Sequence, residues 1–327
     1  MNVQVTRTPS TSPGISYEMP SAEAKRASRR RRMLARTLEG WFFASPWIIG
    51  LLTFFLGPML YSIYLSLTSY NIVQSPRFIG LSNYAEMLRD PLIWKSLQVT
   101  TLYAIASVPL SLFLGLLLAI LLNQKVRGIA FWRTAYYLPA VISGVAVALL
   151  WEWLFNGRYG LVNYLLDVLF GIEGPNWLAD PHTAIWAFVV IAIWQVGGSM
   201  LINLAALQGV PTTLYEAAEI DGATAWHKFF NVTIPMISPV IFFNLIMGII
   251  GALKSFDLFF IMTAGGPNHS TTTFMLYLYR IAFESLRMGY GSAMAWLLFV
   301  YLIILTAIVF RYSSKWVYYE STLEDKS

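Results

Sequence analysis

Six long stretches of the chain contain no Asp, Glu, Lys or Arg and are apolar almost throughout. They cover residues 40–76, 96–124, 134–151, 183–215, 229–253 and 288–310. A helix needs about 20 apolar residues to cross a hydrocarbon core of about 30 Å. Lipid offers the backbone no hydrogen-bond partner, so spanning segments of this length are helical. The pattern predicts an all-α, polytopic membrane protein with six transmembrane helices.

The six windows also predict how the chain is organised. Residues 1–38 are rich in Ser, Thr, Pro and Arg, a composition typical of a disordered tail. The first transmembrane helix and an outer loop follow at 39–94, then a core at 95–312 and a second tail at 313–327. We place the spans at 42–68, 97–123, 134–155, 183–207, 237–262 and 289–311.

The overall composition agrees with a membrane protein and excludes an ordinary soluble domain. The chain is 57% hydrophobic and 12% charged, with a mean hydropathy of +0.59. A typical soluble domain is about 45–50% apolar and about 25% charged. The apolar excess lies in the six windows, which indicates bilayer contact rather than a large soluble core.

The distribution of basic residues predicts the orientation. Eight of the 22 Lys and Arg residues precede residue 37. With six spans, fifteen lie on the side of the two termini and six on the other side, and Lys254 lies within a helix. Basic loops stay in the cytoplasm. We therefore expect both termini to be cytoplasmic in a bacterial inner membrane, and we interpret the run Arg29–Arg32 as an orientation signal rather than a nucleic-acid site.

The sequence excludes several kinds of chemistry. It has no cysteine, so thiolate metal sites and Cys nucleophiles are impossible. Its three histidines, His182, His227 and His269, are far apart, and no paired-carboxylate pattern is visible. It has no GxxxxGK[ST] loop to cradle nucleotide phosphates. We therefore predict a non-enzymatic chain with no catalytic residue, no metal and no cofactor of its own.

The connection at 211–236, between the fourth and fifth spans, is unusually long and acidic for a cytoplasmic loop. Thr213 and Glu216 have the spacing of a capping box at a helix start. Asp221-Gly222 predicts a stop, with Gly222 in the left-handed conformation. A second helix with an apolar stripe is predicted next, closed by prolines before the fifth span; its residues are Trp226, Phe229, Phe230, Pro235 and Pro239.

The acidic character of this loop predicts what it contacts. An amphipathic helix pair at a membrane surface either lies in the interface or inserts into a groove of a protein partner. An anionic lipid surface favours Lys and Arg, whereas this loop carries Glu216, Glu219 and Asp221 against Lys228. Docking to a protein is the better interpretation. Glu216 could also serve only as a helix cap.

These residues resemble a known family. Glu216-Ala217-Ala218, Asp221-Gly222-Ala223, Phe229 and Pro235 match the EAA motif of permease subunits of binding-protein-dependent ABC importers. Further matches resemble the carbohydrate-uptake branch, with its maltose-type and glycerol-3-phosphate-type permeases. They are Gly80-Leu81, Asn83-Tyr84, Phe256-Asp257, Gly265-Gly266-Pro267, Thr271-Thr272-Thr273 and Ala282-Phe283. The resemblance covers about residues 40–312.

The resemblance implies a type I ABC importer permease fold and a division of labour. The EAA helix would be the coupling helix, seated in a cleft of a cytoplasmic ATPase, with Gly222 at its turn and Glu216 contacting that subunit. The implied partners are an ATPase dimer that binds ATP and Mg, a second permease subunit (a heterodimer), an extracytoplasmic solute-binding protein and the lipid bilayer.

A sugar pathway needs polar groups and aromatic faces on a cavity wall. The candidates lie in the fourth and fifth spans: Trp194, Gln195, Ser199, Asn203, Asn244, Lys254, Ser255 and Asp257. Lys254 can equally snorkel to the outer interface. The small residues Gly248, Gly251 and Ala252 depart from maltose-type relatives and are also typical of tight helix packing.

Two other functions remain open from the residues alone. An ion-coupled secondary transporter normally carries intramembrane Asp, Glu or His relays, and these spans are nearly free of them. An ABC permease for a solute other than a carbohydrate would have the same coupling loop. An integral-membrane enzyme would need a set of paired carboxylates or metal ligands, and the sequence shows no such set.

Overall fold

The computed structural model describes residues 39–124 and 127–318. The predicted tail 1–38 and the last nine residues of the predicted tail 313–327 lie outside the described residues. The chain divides into two compact units between Tyr61 and Ser62. The first holds most of the first helix, and the second holds everything that follows.

The described residues are mainly helical, as predicted, with one very short two-stranded sheet. The strands are β1 (Thr68–Ser69) and β2 (Arg77–Phe78), paired antiparallel. The helices are α1 (Glu39–Ser66), α2 (Ser82–Arg89), α3 (Pro91–Leu122), α4 (Ile129–Val141), α5 (Gly144–Leu154), α6 (Leu161–Phe170), α7 (Ala184–Trp194), α8 (Gly197–Gln208), α9 (Thr212–Ile220), α10 (Ala225–Lys228), α11 (Ile234–Leu253), α12 (Asp257–Met262), α13 (Phe274–Tyr279) and α14 (Met288–Ser313).

Within residues 39–124 and 127–318, five helical segments are long and apolar enough to cross a membrane. They are Glu39–Ser66, Pro91–Leu122, Ala184–Gln208, Ala225–Met262 and Met288–Ser313. They correspond to five of the six predicted spans. Four extend past the predicted bounds by up to six residues at an end, whereas the fifth begins twelve residues earlier than predicted.

The third predicted span, 134–155, is wrong as a single straight helix. It consists of α4 and α5, which are bent by 98° relative to each other. Ile142 and Ser143 have extended backbone between them. Pro139 lies in the last turn of α4, where its ring removes a helix hydrogen bond. Neither half alone is long enough to span a bilayer.

The fifth predicted span, 237–262, needs two corrections. Pro235 and Pro239 do not close a separate loop helix, because both lie inside α11, which continues from α10 through a π-helical turn. At the other end α11 stops at Leu253, and α12 starts at Asp257. Lys254 and Asp257 therefore flank a break instead of sharing one helical face.

Helix α3 lies at the centre of the second unit, because it packs against α7, α8 and α11. Small residues allow these helices to approach closely. A Cβ atom on Gly248 of α11 would lie 2.9 Å from a methyl group of Val108 on α3. The packing interpretation is confirmed at Gly248, whereas Gly251, one turn away, has open space where a side chain would stand.

Asp90 joins α3 to two later helices. Its Oδ1 accepts a hydrogen bond from the backbone N–H of Leu92 at 2.9 Å and so caps α3. Its Oδ2 accepts from the hydroxyl groups of Tyr277 at 2.6 Å and Tyr290 at 3.1 Å. Burial, and then the bond to Asp90, raise the pKa of the Tyr277 hydroxyl above its ordinary value.

Asn83, one residue of the motif Asn83-Tyr84, fastens α2 to the end of α1. Its Nδ2 donates to the backbone carbonyls of Ser66 at 2.8 Å and Thr68 at 2.9 Å, and the side chain is 5% exposed. The carbonyls lie where helix gives way to strand and need such a donor. Position 83 therefore requires a side-chain amide, whose Nδ2 can donate two hydrogen bonds, and not merely a polar residue.

We expect Asn83→Ala to lower the free energy of unfolding by about 2 kcal/mol, because two carbonyls lose their donor in a buried place. Thermal unfolding of the purified protein in detergent would measure the change. Asn71→Ala is the matched control, because Asn71 is exposed and only accepts a local bond from the backbone N–H of Gln74. Equal midpoints for the two variants would contradict the assignment.

Candidate functional site

The predicted acidic loop consists of two helices joined by a tight turn. Helix α9 ends in a Schellman motif: the N–H of Ala223 bonds to the carbonyl of Ala218 at 2.9 Å, and the N–H of Gly222 to that of Glu219 at 3.0 Å. Gly222 has a φ of +75°, in the left-handed region that favours glycine. The predicted stop at Asp221-Gly222 is confirmed.

The predicted capping box at Thr213 and Glu216 is wrong. Helix α9 begins at Thr212, its N-cap position is Pro211, and no side chain caps it. Thr213 therefore lies inside the first turn and not before it. Glu216 is exposed, so its side chain is available to a partner.

The second helix of the loop starts at a true cap. The Oγ1 of Thr224 accepts a hydrogen bond from the backbone N–H of His227 at 3.3 Å. After one turn α10 widens into the π-helical turn Phe229–Thr233, in which the N–H of Ile234 bonds to the carbonyl of Phe229. Pro235 follows directly and has no N–H to offer, which accounts for the irregular turn.

Large apolar side chains on this loop face solvent. Ile220 is 88% exposed, and Trp226 and Phe230 are 72% and 57% exposed. The last two rings are stacked with centroids 6.0 Å apart. Exposed aromatic groups next to acidic residues on one compact turn are typical of a protein-docking surface rather than of a solvated loop.

The eight predicted coupling residues share this loop and divide into two groups. Glu216, Ala217, Asp221 and Gly222 are exposed. Ala218, Ala223, Phe229 and Pro235 are half-buried under them. The motif therefore combines an exposed edge with the residues that support it.

Two contacts missed by the sequence patterns hold the loop in shape. The Nζ of Lys228 donates to the Oε1 of Glu219 at 2.7 Å, linking α10 to α9. This bond, and then the charge of Lys228, hold the pKa of the Glu219 carboxyl below its ordinary value. The hydroxyl groups of Tyr215 and Thr233 lie 2.9 Å apart and join α9 to the π-helical turn.

The loop is continuous with the core of the second unit. Tyr215, Val232 and Ile234 pack against a cluster that contains Leu207 of α8 and Ala119 of α3. Both helices also border the cavity described next. The loop and the helices of the cavity are therefore joined by packed side chains.

The cavity has a volume of about 330 Å³ and lies between α3, α7, α8 and α11. Its polar wall is formed by Tyr103, Ser107, Ser111, Ser199 and Asn244. Hydroxyl and amide groups of this kind bind sugar hydroxyls, and such cavities are typical of small-molecule sites. Gly251 faces the same space without a side chain.

The predicted pathway residues are not all in one place. Ser199 and Asn244 line the cavity, whereas Asn203 lies behind Asn244 and accepts its Nδ2 hydrogen bond at 3.0 Å. Trp194 is half-buried with its ring edge against Trp151, at 5.6 Å between centroids. Four other candidates are outside the wall of this cavity: Gln195 at the break between α7 and α8, Ser255 at the break after α11, and the exposed Lys254 and Asp257 beside it.

The polar wall contributed by α3 was missed by sequence reasoning. Tyr103, Ser107 and Ser111 are spaced four residues apart, so they share one helical face. A search of the apolar window 96–124 for hydroxyl groups at helical spacing would have found them. Within residues 39–124 and 127–318, no group of three or more His, Asp or Glu side chains is arranged to hold a metal ion.

In the part of the chain that the structure describes, five long apolar helices, a bent helix pair, a cavity with polar groups on one side and an exposed loop at 211–236 are the features expected of a polytopic membrane transport subunit. The chain belongs to the family of binding-protein-dependent transport system inner membrane components, whose model matches residues 111–318. The predicted resemblance to ABC importer permeases is thus confirmed.

Its relatives include other permease proteins. The chain is 43% identical to the probable ABC transporter permease protein YesP of Bacillus subtilis, over 93% of this chain and 98% of that one. It is 34% identical to the trehalose/maltose transport system permease protein MalF of Thermococcus litoralis, over 83% and 92%. It is 35% identical to the lactose transport system permease protein LacF of Rhizobium radiobacter, over 84% and 93%.

A solved structure has the same fold. A chain of a bacterial alginate ABC transporter, crystallised in complex with an alginate pentasaccharide-bound periplasmic protein, superposes with a TM-score of 0.75. The identity is 22%, and the match covers 85% of this chain and 94% of that one. The predicted type I importer permease fold is confirmed.

The buried pair Asn203–Asn244 yields a testable prediction. We expect a double-mutant cycle with Asn203→Ala and Asn244→Ala to give a coupling free energy of about 0.5–1.5 kcal/mol, the usual range for a hydrogen bond between membrane helices. Thermal unfolding in detergent would measure it. Asn163→Ala is the control partner for Asn203→Ala, because the partners of Asn163 all lie in the segment 157–177, between the third and fourth predicted spans. Additivity in both cycles would show that the two amides do not depend on each other.

Proposed function

We propose that this chain is the membrane-spanning subunit of an ATP-driven importer for a sugar, an oligosaccharide or a related polyol. An extracytoplasmic binding protein delivers the solute, and separate ATPase subunits supply the energy through the loop at 211–236. The observation that carries the proposal is the exposed turn at Gly222, in a loop that presents acidic and aromatic side chains to solvent and in a chain that belongs to a binding-protein-dependent family.

The coupling role is supported by the shape of the loop. Its exposed side chains include the acidic residues Glu216, Glu219 and Asp221 and the aromatic residues Trp226 and Phe230. Such a surface fits a groove that is apolar inside and basic at its rim. Force from the ATPases then reaches the cavity through the packed contacts of α9 and α11 with α3 and α8.

Other chains must supply what this one lacks. Because its sequence has no phosphate-binding loop, ATP and Mg bind to the partner ATPase dimer. A second, homologous permease subunit pairs with this one as a heterodimer, and the solute passes between them. We infer that this chain lies in a bacterial inner membrane with both termini and the coupling loop in the cytoplasm, and the excess of Lys and Arg on that side supports this orientation.

The solute class is supported by relatives and by the cavity. Permeases named for trehalose/maltose, lactose and sulfoquinovosyl glycerol are 34–37% identical to this chain. The cavity presents three serine hydroxyl groups, a tyrosine and an asparagine, which can exchange donor and acceptor roles around a polyol. An uncharged lining that combines hydroxyl and amide groups with apolar side chains favours a polyhydroxylated solute over an ion.

The coupling role predicts the effect of Gly222→Val. The substitution forces a β-branched residue into positive φ, at a cost of about 1–2 kcal/mol, and misaligns α9 and α10. We expect normal membrane levels, a loss of ATPase co-purification and a loss of uptake. Pull-down with the ATPase subunits and uptake by membrane vesicles would be measured side by side.

Gly171→Val is the matched control. Gly171 also ends a helix in the left-handed conformation, with a φ of +65° and open space around it, and its N–H bonds to the carbonyl of Asp167 at 2.8 Å. It belongs to the loop between the third and fourth predicted spans. It should keep full ATPase association. Wild-type association with Gly222→Val, or an equal loss with both variants, would remove the coupling role from this turn.

The cavity predicts the effect of Gly251→Leu. A leucine meets no atom within 4 Å at its Cβ position and extends into the cavity, so it should occupy the pathway without unfolding α11. We expect uptake of the transported sugar to fall about tenfold while ATPase co-purification is kept. Candidate oligosaccharides, radiolabelled, would first be screened with the wild-type importer.

Gly198→Leu serves as the control for this variant. Gly198 is a helical glycine with open space at its Cβ position, but it does not line the cavity. Uptake should remain near the wild-type rate. Unchanged transport by Gly251→Leu would place the solute pathway elsewhere.

A further inference from the structure

Pro239 leaves a gap in the hydrogen bonding of α11. A proline has no N–H, so the carbonyl of Pro235, four residues earlier, has no helical donor. The Oγ of Ser238 donates to this carbonyl at 2.7 Å and closes the gap. Pro235 is also one of the predicted coupling residues, so the gap lies at the end of the loop 211–236, which we call the docking loop.

The chain after the last span returns to this point. We call residues 314–318 the return segment. The backbone N–H of Tyr318 donates to the Oγ of Ser238 at 2.9 Å. Ser238 is 1% exposed, so water does not compete for either bond. One buried hydroxyl group thus receives a bond from the return segment and gives one to the carbonyl that Pro239 orphans.

Side chains reinforce this contact. Val317 is 8% exposed, and the ring of Trp316 lies 6.1 Å from that of Phe242 in α11. Phe242 also meets Phe310 of α14 edge-on, with 4.8 Å between centroids. The return segment is therefore packed on α11 through apolar groups as well as bonded to it. The family match ends at residue 318, so the return segment belongs to the matched region.

The return segment attaches to α11 at a place where the helix bends easily. Between Phe229 and Pro239 the helix has a π-helical turn and two prolines, so few regular backbone bonds resist bending there. Force that travels along the backbone from the docking loop into α11 passes through these residues. A contact from outside the helix can therefore fix the bend angle of this segment, which its own backbone hydrogen bonds do not fix.

We propose that the return segment is a strap that positions the docking loop, with Ser238 as the positioning residue that joins the two. The strap holds α10 and the π-helical turn at a fixed angle to α11, so that motion of the loop is passed to the cavity helices instead of being lost in the soft region. This proposal rests on the proposed coupling function, which it extends to a second segment of the chain.

The first measurement needs only this chain. Amide hydrogen exchange of residues 225–240 would be followed by mass spectrometry in lipid nanodiscs for wild type, Ser238→Ala and a chain ended after Ser313. We expect roughly fivefold faster exchange in both variants, the factor for losing one buried hydrogen bond. The controls are Ser313→Ala, a buried serine with a bond to the carbonyl three residues earlier, and a chain ended after Tyr318.

The second measurement tests coupling. The same variants, assembled with the ATPase and the second permease subunit in proteoliposomes, would be compared for sugar molecules imported per ATP hydrolysed. We expect this ratio to fall severalfold in Ser238→Ala and in the chain ended after Ser313, with ATPase association kept. Ser238→Thr retains the hydroxyl group and should restore the ratio, which a loss of folding would not allow.

The outcomes separate the two proposals. Wild-type exchange in Ser238→Ala and in the chain ended after Ser313, or equal acceleration in the controls, overturns the strap. Faster exchange with an unchanged import ratio also overturns it, provided that Gly222→Val abolishes ATPase association. If Gly222→Val leaves ATPase association intact, it is the coupling function of the loop that fails.

Discussion

A backbone in lipid must satisfy its own hydrogen bonds, and the architecture of this chain depends on how it does so where its helices are irregular. Three apolar segments are interrupted, at Ile142–Ser143, at Gln195–Val196 and at Lys254–Phe256. Each interruption, like each proline, frees carbonyl groups that need another donor. Hydroxyl side chains supply some of these donors, because a Ser or Thr oxygen can reach a nearby carbonyl without adding a charge. The Oγ1 of Thr273 bonds to the carbonyl of Ser255 at 3.1 Å, just past the end of α11.

These side-chain hydrogen bonds lie near residues proposed to form the solute pathway or to couple to the ATPase. The break after α11 contains Ser255 and is flanked by Lys254 and Asp257, all three of them predicted pathway residues. The repair by Ser238 adjoins Pro235 of the coupling motif. A regular helix is stiff and uniform, whereas a helix with a gap is soft at one place unless a contact from outside the helix fixes its angle there. In the proposed strap, Ser238 and the return segment supply that contact between the docking loop and the cavity.

The sequence patterns predicted the structural features that depend on composition or on single residues, namely the membrane spans and the turn at Asp221-Gly222. Charge-free windows predict the spans because burial in lipid excludes charges over the whole length of a helix. Asp221-Gly222 predicts its turn because few residues besides glycine accept positive φ easily. The bend at Ile142 was not predictable in this way, since Pro139 is compatible with a kinked continuous helix. Nor were the pairings of Glu219 with Lys228 and of Asn203 with Asn244, because they depend on which helices meet and not on local spacing.

The small residues of α11 show why one pattern can carry two meanings. Gly248 and Gly251 are three residues apart on a helix, and sequence alone gives both the packing and the pathway interpretation. In the structure a side chain at Gly248 would collide with Val108, whereas one at Gly251 would enter open space beside the cavity. Close packing at the first residue holds α11 against α3, and the absence of a side chain at the second leaves room along the same helix. Both glycines line the cavity, so its wall combines a tight helix contact and an open position within about one turn of α11.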